Sequence, residues 1–373
     1  MLEAPSTALT LFLELTSIPS PPGDERAVAD RVATELRSLG LEVEEDDAGP
    51  AIGSNAGNLL CRLPGRVDGG TPLFFCAHLD TVPPQGTLEP VVDDGVVRNA
   101  GGTILGADNK SAVVSMIEAA RRLLADGTPH AGVELVFTQK EEVGLLGARA
   151  FDQTKLEAEL GFVYDQAAPI GDVILGAPYA RTMTVRFHGR PAHSGMVPEE
   201  GRSAIQAAAR AIADLRLGRI DEETTANVGL INGGSARNIV PEWCELEAEA
   251  RSHDPRKLAD LVQEMLDTFA FAATVTDCTL ETEVSETYAG YRFRQDDPIV
   301  QLAARALERC GYRLRPTLTG GGADANVFNV RGLPCLNLAN GMAEIHTADE
   351  HIAVADLDAM VDVTLALVDA ARA

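Results

Sequence analysis

The sequence predicts a discontinuous α/β fold with a smaller α+β domain inserted into it, and three observations carry that expectation. Short apolar runs alternate with amphipathic helices over the first part of the chain, a strand-dense stretch follows, and the alternation resumes near the end. Brief apolar strands between helices are the pattern of a layered sheet covered on both faces.

The elements follow in order. Glu3 stands where a secretory leader would carry Lys or Arg, and Glu14 interrupts the apolar patch Leu9–Leu13, so a first helix is expected there rather than a signal peptide. After the turn Ser20-Pro21-Pro22-Gly23 comes a helix near 25–39. The apolar strand Leu73–Ala77 runs into His78. A helix then carries Val113, Met116, Ile117, Ala120 and Leu124, and is followed by the strands Val133–Phe137 and Phe162–Tyr164.

From about residue 180 the order changes. Strand Thr182–Phe187, helix Ser203–Leu215 and strands Ala226–Ile231 and Cys244–Arg251 come first. A helix with Leu258, Leu261, Val262, Met265, Leu266 and Phe269 on one face, and a strand Thr274–Val284, complete the stretch. That β-α-β-β-α-β order is the ferredoxin-like, split pattern. The alternation returns after Tyr291 and ends in a helix turning Leu357, Met360, Val361, Thr364 and Val368 inward. The expected division is 1–177 and 291–373 for the main domain and 178–290 for the insertion.

Composition narrows the function. The 373 residues suffice for two domains, and 45% apolar residues can fill their cores. With 31 basic against 56 acidic residues, the formal charge of −25 repels phosphate backbones and anionic membranes. No stretch reaches the ~18–20 apolar residues of a membrane span. Cys61, Cys76, Cys244, Cys278, Cys310 and Cys335 contain no C-x-x-C pair and read as scattered thiols of a reducing cytosol, so a cytoplasmic location is expected. Trp243 is expected in the core.

Acids and histidines gather where strands end. His78-Leu79-Asp80 closes one strand, Asp108 opens a helix, and Glu141-Glu142 follow the strand ending at Phe137. Asp165 ends the next strand, and His346 follows Leu336–Leu338 through a loop. Singly, each has a plain structural reading: a helix cap at Asp108, a turn acid at Asp165, a solvated strand end at Glu141-Glu142. Together they could meet in one crevice, because open α/β sheets bind ligands beyond the carboxyl ends of their strands. Two imidazoles with several carboxylates suit zinc. Adjacent acids such as Glu141 and Glu142 repel in a crevice unless a cation lies near them.

The motifs resemble a family. S-I-P-S-P-P-G-D-E at Ser17, A-H-L-D-T-V-P, L-G-A-D-N-K-S, Q-K-E-E-V-G-L-L-G-A, G-R-P-A-H-S-G, A-R-N-I-V-P-E, G-G-G-A-D-A-N and E-I-H-T-A-D-E-H-I occur in that order across essentially the whole chain. They resemble the two-zinc exopeptidases that include carboxypeptidase G, aminoacylase, acetylornithine deacetylase and succinyl-diaminopimelate desuccinylase. K-E-E-V-G-L-L-G and G-M-A-E-I-H-T point to the peptidase T-like branch.

The resemblance implies a zinc-exopeptidase-like mixed sheet flanked by helices, with the insertion as a lid and dimerisation domain. It implies two divalent ions per chain, zinc foremost, with cobalt or manganese as alternatives. Asp108 would bridge them, His78 and Asp165 completing one site, Glu142 and His346 the other. Asp80 would orient His78, Glu141 would serve as general base, and a non-proline cis peptide would follow Asp108. From the insertion, His193 would stabilise the developing oxyanion, and Asn238 and Arg251 would hold the substrate backbone and terminal carboxylate. Gly321 belongs to a loop, Gly320-Gly321-Gly322, expected close to the substrate. The implied activity is hydrolysis of short peptides, tripeptides above all, by a homodimer. An N-acyl amino acid deacylase and a non-catalytic metal-binding scaffold are the alternatives, and an acid left over for catalysis at Glu141 argues against the scaffold.

Overall fold

The computed structural model describes residues 6–67 and 69–372, so Glu3 lies outside the described residues. The chain divides into two compact units. One takes the chain up to Leu175 with Arg292–Leu318 and everything from Gly322, and the other takes Gly176–Tyr291 with Thr319–Gly321.

The first unit is built on a mixed sheet. Its strands run in the order Val43–Glu45, Leu59–Leu63, Val133–Thr138, Leu73–His78, Leu160–Val163, Cys335–Leu338 and Asp172–Ala177. The four central strands, from Val133–Thr138 to Cys335–Leu338, are mutually parallel, and the strands flanking them run antiparallel. All six residues of Leu73–His78 are buried, which is why that run lacks polar alternation. Phe75 and Ala77 join the core that includes Val113, Met116 and Ile117 of the helix Ala107–Asp126. Phe74 packs instead against Phe328 of the helix Asp324–Val330, the rings tilted by 55° with centroids 4.8 Å apart. Helices therefore cover both faces. Thr7–Thr16 and Val354–Ala370 pack against Ala107–Asp126, burying Leu357, Met360, Val361, Thr364 and Val368 as the periodicity predicts.

The second unit is a five-stranded antiparallel sheet, ordered Gly218–Asp221, Thr224–Gly233, Trp243–Ser252, Tyr179–His188 and Thr279–Tyr288. Helices Ala204–Asp214 and Pro255–Val275 supply its core with Ala207, Ala208, Ala211, Leu258, Leu261, Met265 and Phe269. Three expectations change. A strand, Gly218–Asp221, was not foreseen, because its exposed polar residues carry no apolar alternation. The β-branched run Thr274-Val275-Thr276 belongs to the end of a helix rather than to a strand. Buried Ala272 and Ala273 hold that last turn in place, Thr276 bonds back to Ala272, and the strand begins only at Thr279. Burial overrides propensity there. Trp243, expected in the core, is 40% exposed at the first position of its strand, opposite His188.

Among the described residues no helix is long and apolar enough to cross a membrane. The six cysteines form no disulfide.

Gly161 shows how tightly the central strands pack. It lies directly opposite Phe74, and a Cβ at this position would fall 2.0 Å from both Cε1 and Cζ of that ring. Gly161→Ala should therefore cost about 1–3 kcal/mol, the usual penalty of overpacking. Urea unfolding measures this, and Phe74→Leu in the Gly161→Ala background should recover part of the loss.

Candidate active site

Parallel pairing brings four strand ends to one edge of the sheet, at His78, Thr138, Val163 and Leu338. Just beyond them lie Asp80, Glu141-Glu142, Asp165 and the loop that leads to His346. Asp108 reaches the same place from the first turn of Ala107–Asp126. There Asp108 and Asn109 keep non-helical backbone angles across a cis peptide bond.

The side chains form two groups that share one acid. His78, Asp108 and Asp165 place ligand atoms within 4.8 Å of one another, and so do Asp108, Glu142 and His346. Asp108 Oδ1 lies 3.2 Å from His78 Nε2, and Oδ2 lies 3.2 Å from His346 Nε2. Asp165 Oδ1 stands 3.9 Å from His78 Nε2, and Glu142 Oε1 stands 3.0 Å from His346 Nε2. Glu141 is buried beside these groups and belongs to neither.

Electrostatics here demand positive charge. Burial pushes the Glu141 carboxyl well above the usual carboxylate range, and the neighbouring Asp165 adds to the effect. Asp165 is raised in the same way by burial and by Asp108. Burial opposes the ionised form of Asp108 too, but hydrogen bonds from His346 and His78 outweigh it and hold this carboxyl below its ordinary value. Hydrogen bonds to Asp108 and Glu142 push the His346 imidazole up to about 10. Burial disfavours the charged form of His78, yet hydrogen bonding with Asp108 and Asp80 raises it overall. A crevice that draws protons onto its histidines this strongly is suited to divalent cations, and its nitrogen and oxygen donors suit zinc. The tautomer agrees. His78 Nδ1 donates to the carbonyl oxygen of Asp80 at 2.9 Å, so Nε2, which faces Asp108 and Asp165, is the nitrogen free to exchange its proton for a cation.

The residues expected from the insertion all lie in the second unit. His193 sits in an exposed turn, where its Nδ1 accepts from Gly195 N at 3.2 Å. Its neighbour Ser194 donates its backbone N–H to Asn238 O at 3.0 Å, so the loops carrying His193 and Asn238 are joined. Arg251 Nη1 donates to Gly320 O at 3.0 Å and Nη2 to Glu249 Oε2 at 2.9 Å, tying the strand to the Thr319–Gly321 segment. A Cβ at Gly320 would meet no neighbour within 4 Å, and one at Gly321 only Thr319 Oγ1 at 3.9 Å.

Two supporting residues escaped the sequence reading. Asn337 accepts from Asp165 N at 2.9 Å and donates to Asp165 O at 2.8 Å, pairing like a strand neighbour. An asparagine between Leu336 and Leu338 in a buried strand was its only signal. Lys110 is 1% exposed and donates to Ile18 O at 2.6 Å; burial lowers its pKa to about 7, while Glu350 and Asp80 oppose that shift.

Asp80 does more than face His78. Its Oδ1 lies 3.5 Å from His78 Nδ1, but its two oxygens accept the backbone N–H groups of Glu141 at 2.9 Å and Glu142 at 3.1 Å. One carboxylate thus ties the histidine strand to the acid pair. Asp80→Asn turns one acceptor into a donor against an N–H group, and should lower zinc affinity about ten- to a hundredfold with the fold retained. Chelator competition on the purified protein measures that loss, beside an unchanged far-UV spectrum.

Known proteins share this fold. Peptidase family M20/M25/M40 matches residues 74–370. Aminopeptidase PepT of Bacillus cereus ATCC 10987 superposes with a TM-score of 0.87 at 38% identity, over 98% of each chain. A tripeptidase of Staphylococcus aureus subsp. aureus Mu50 gives 0.92 at 34% identity, again over 98% of each chain. Uncharacterized protein YqjE of Bacillus subtilis (strain 168) is 38% identical over 360 residues, spanning 96% of this chain and 97% of its own. With the family matched over most of its length and a strand-end crevice rich in metal donors, this chain belongs to Peptidase family M20/M25/M40, as a peptidase T-like metallo-exopeptidase.

Proposed function

We propose that the chain is a two-metal aminopeptidase that trims tripeptides and similarly short peptides. The observation that carries this reading is the division of donors around Asp108, whose two oxygens face two different imidazoles while Glu141 stays out of both groups. The similarity to a PepT aminopeptidase and to a tripeptidase supports the substrate class.

His78 and Asp165 would hold one ion, Glu142 and His346 the other, with Asp108 between them. Divalent ions bound there supply Lewis acidity toward the scissile carbonyl and toward water. Glu141 takes a proton from the attacking water as its oxygen bonds to the carbonyl carbon. It returns that proton to the amine nitrogen as the C–N bond breaks. Burial favours the protonated form of Glu141 that this second transfer needs. Asp80 fixes the backbone on which Glu141 stands. We assign His193 the role of donor to the carbonyl oxygen as charge develops on it. Asn238 and the Gly321 loop line the substrate backbone. Arg251 receives the terminal carboxylate in the place Glu249 now occupies, since its planar fork suits carboxylates. We place the enzyme in the cytoplasm as a homodimer through residues 200–290, where the edge strand Thr279–Tyr288 is largely exposed.

The reading makes two outcomes specific. Elemental analysis should find about two ions per chain. The enzyme should cleave Leu-Gly-Gly and spare an N-acetyl amino acid; the reverse preference would make it a deacylase, and one ion in the active protein would end the two-metal reading. Separately, Glu141→Gln should keep both ions and the fold while turnover falls by roughly 10²–10⁴-fold, the share of proton transfer in such reactions. Near-normal turnover in that variant would remove Glu141 as the base.

A further inference from the structure

One buried carboxylate near the crevice has no part in this chemistry. Glu350 is 2% exposed and follows His346 by four residues. Its Oε2 accepts the backbone N–H of Leu105 at 2.7 Å and of Gly106 at 2.8 Å, and its Oε1 accepts that of Asp108 at 3.0 Å. The turn that presents Asp108 is thus wrapped around the Glu350 carboxylate, with three N–H groups converging on one anion.

The loop carrying Glu350 is closed at its base. Ala343 and His351 exchange backbone hydrogen bonds of 3.0 and 3.1 Å. Between them, Glu344 and His346 adopt left-handed backbone angles, φ 53° and 65°. Such angles are uncommon for residues other than glycine and persist where the surroundings impose them. His346 therefore stands on a short, constrained loop whose far end is plugged into the turn of Asp108.

We propose that Glu350 is a positioning residue that fixes Asp108 against His346, so that the shared acid presents one oxygen to each imidazole. The inference rests on the two-metal reading. Removing the plug frees the Asp108 turn and the His346 loop to move independently, and the ion held by Asp108, Glu142 and His346 is the one that suffers.

The test is zinc binding to the metal-free full chain, followed by competition with a chromophoric chelator, for the wild type, Glu350→Gln and Glu350→Asp. Asp keeps the negative charge but is one methylene too short to reach all three N–H groups. Gln keeps the length but loses the charge. Both variants should hold one ion about ten- to a hundredfold more weakly than the wild type, as other outer partners of metal ligands do. Their far-UV spectra should match the wild type.

Wild-type affinity in Glu350→Asp, with weakening only in Glu350→Gln, would reduce Glu350 to a distant charge and overturn the proposal. Normal affinity in both, with only a lowered melting temperature, would make it a structural latch and also overturn the proposal. Should Glu350→Asp not fold, Glu350→Gln is compared with Glu25→Gln, which removes another buried charge facing Asp80 without touching the turn. Equal losses in that pair count against positioning, and a larger loss for Glu350→Gln supports it. A single zinc in the wild type would defeat the two-metal reading alone, and the affinity of that one ion would still decide the role of Glu350.

Discussion

The carboxylate of Asp108 faces two imidazoles, His78 on one oxygen and His346 on the other, each 3.2 Å away. Much of the first unit can be understood as the scaffold this contact requires. An acid only 6% exposed is costly to ionise unless opposite charge and hydrogen bonds compensate. The imidazoles meet that need, and hold the carboxyl below its ordinary value against the effect of burial. Glu141 and Asp165 are raised instead, by burial and by the acids beside them, so the crevice concentrates carboxyls that only a cation can keep ionised together.

The outer shell follows a common logic. Three buried acids around it accept N–H groups of the backbone. Asp80 takes those of Glu141 and Glu142, and Glu350 takes those of Leu105, Gly106 and Asp108. Glu25, fully buried, takes Gly23 N and the Ser54 hydroxyl. Apart from the local bond to Gly23, each stitches one chain segment to another, so discontinuous pieces are held by charge-assisted contacts of low exposure. Asn337 does the same for Asp165 without charge. Rigid support of this kind keeps ligands within the narrow tolerance a metal site demands.

The second unit has a different character. Its sheet is covered by helices on one face and keeps the other polar, with Glu245, Glu247, Glu249 and Arg251 alternating along one strand. Loops at its sheet edge carry His193 and Asn238, joined through Ser194.

Much of this was legible in the order of residues. Continuous apolar runs and the 3.6 period located the central strands and long helices, because burial on both faces favours apolar residues along Leu73–His78 and most of Val133–Thr138. The meeting of these acids and histidines in one crevice was legible for a related reason. Acids and histidines that follow such strands have no packing role, and parallel pairing gathers the strand ends at one edge, where Asp108 joins them from a helix. What tertiary structure alone decided are the contacts between distant segments. Glu350 looks like any acid in a polar loop, and nothing local shows that three N–H groups some 240 residues earlier enclose it. Asp80 seemed a partner for His78 alone, until the loop of Glu141 folded its backbone onto the same carboxylate. The end of the helix at Val275 was settled by burial of Ala272 and Ala273 against the β-branched residues that follow. Periodicity reports which face a residue turns to the core, whereas hydrogen bonds between remote backbones arise only once the chain has closed on itself.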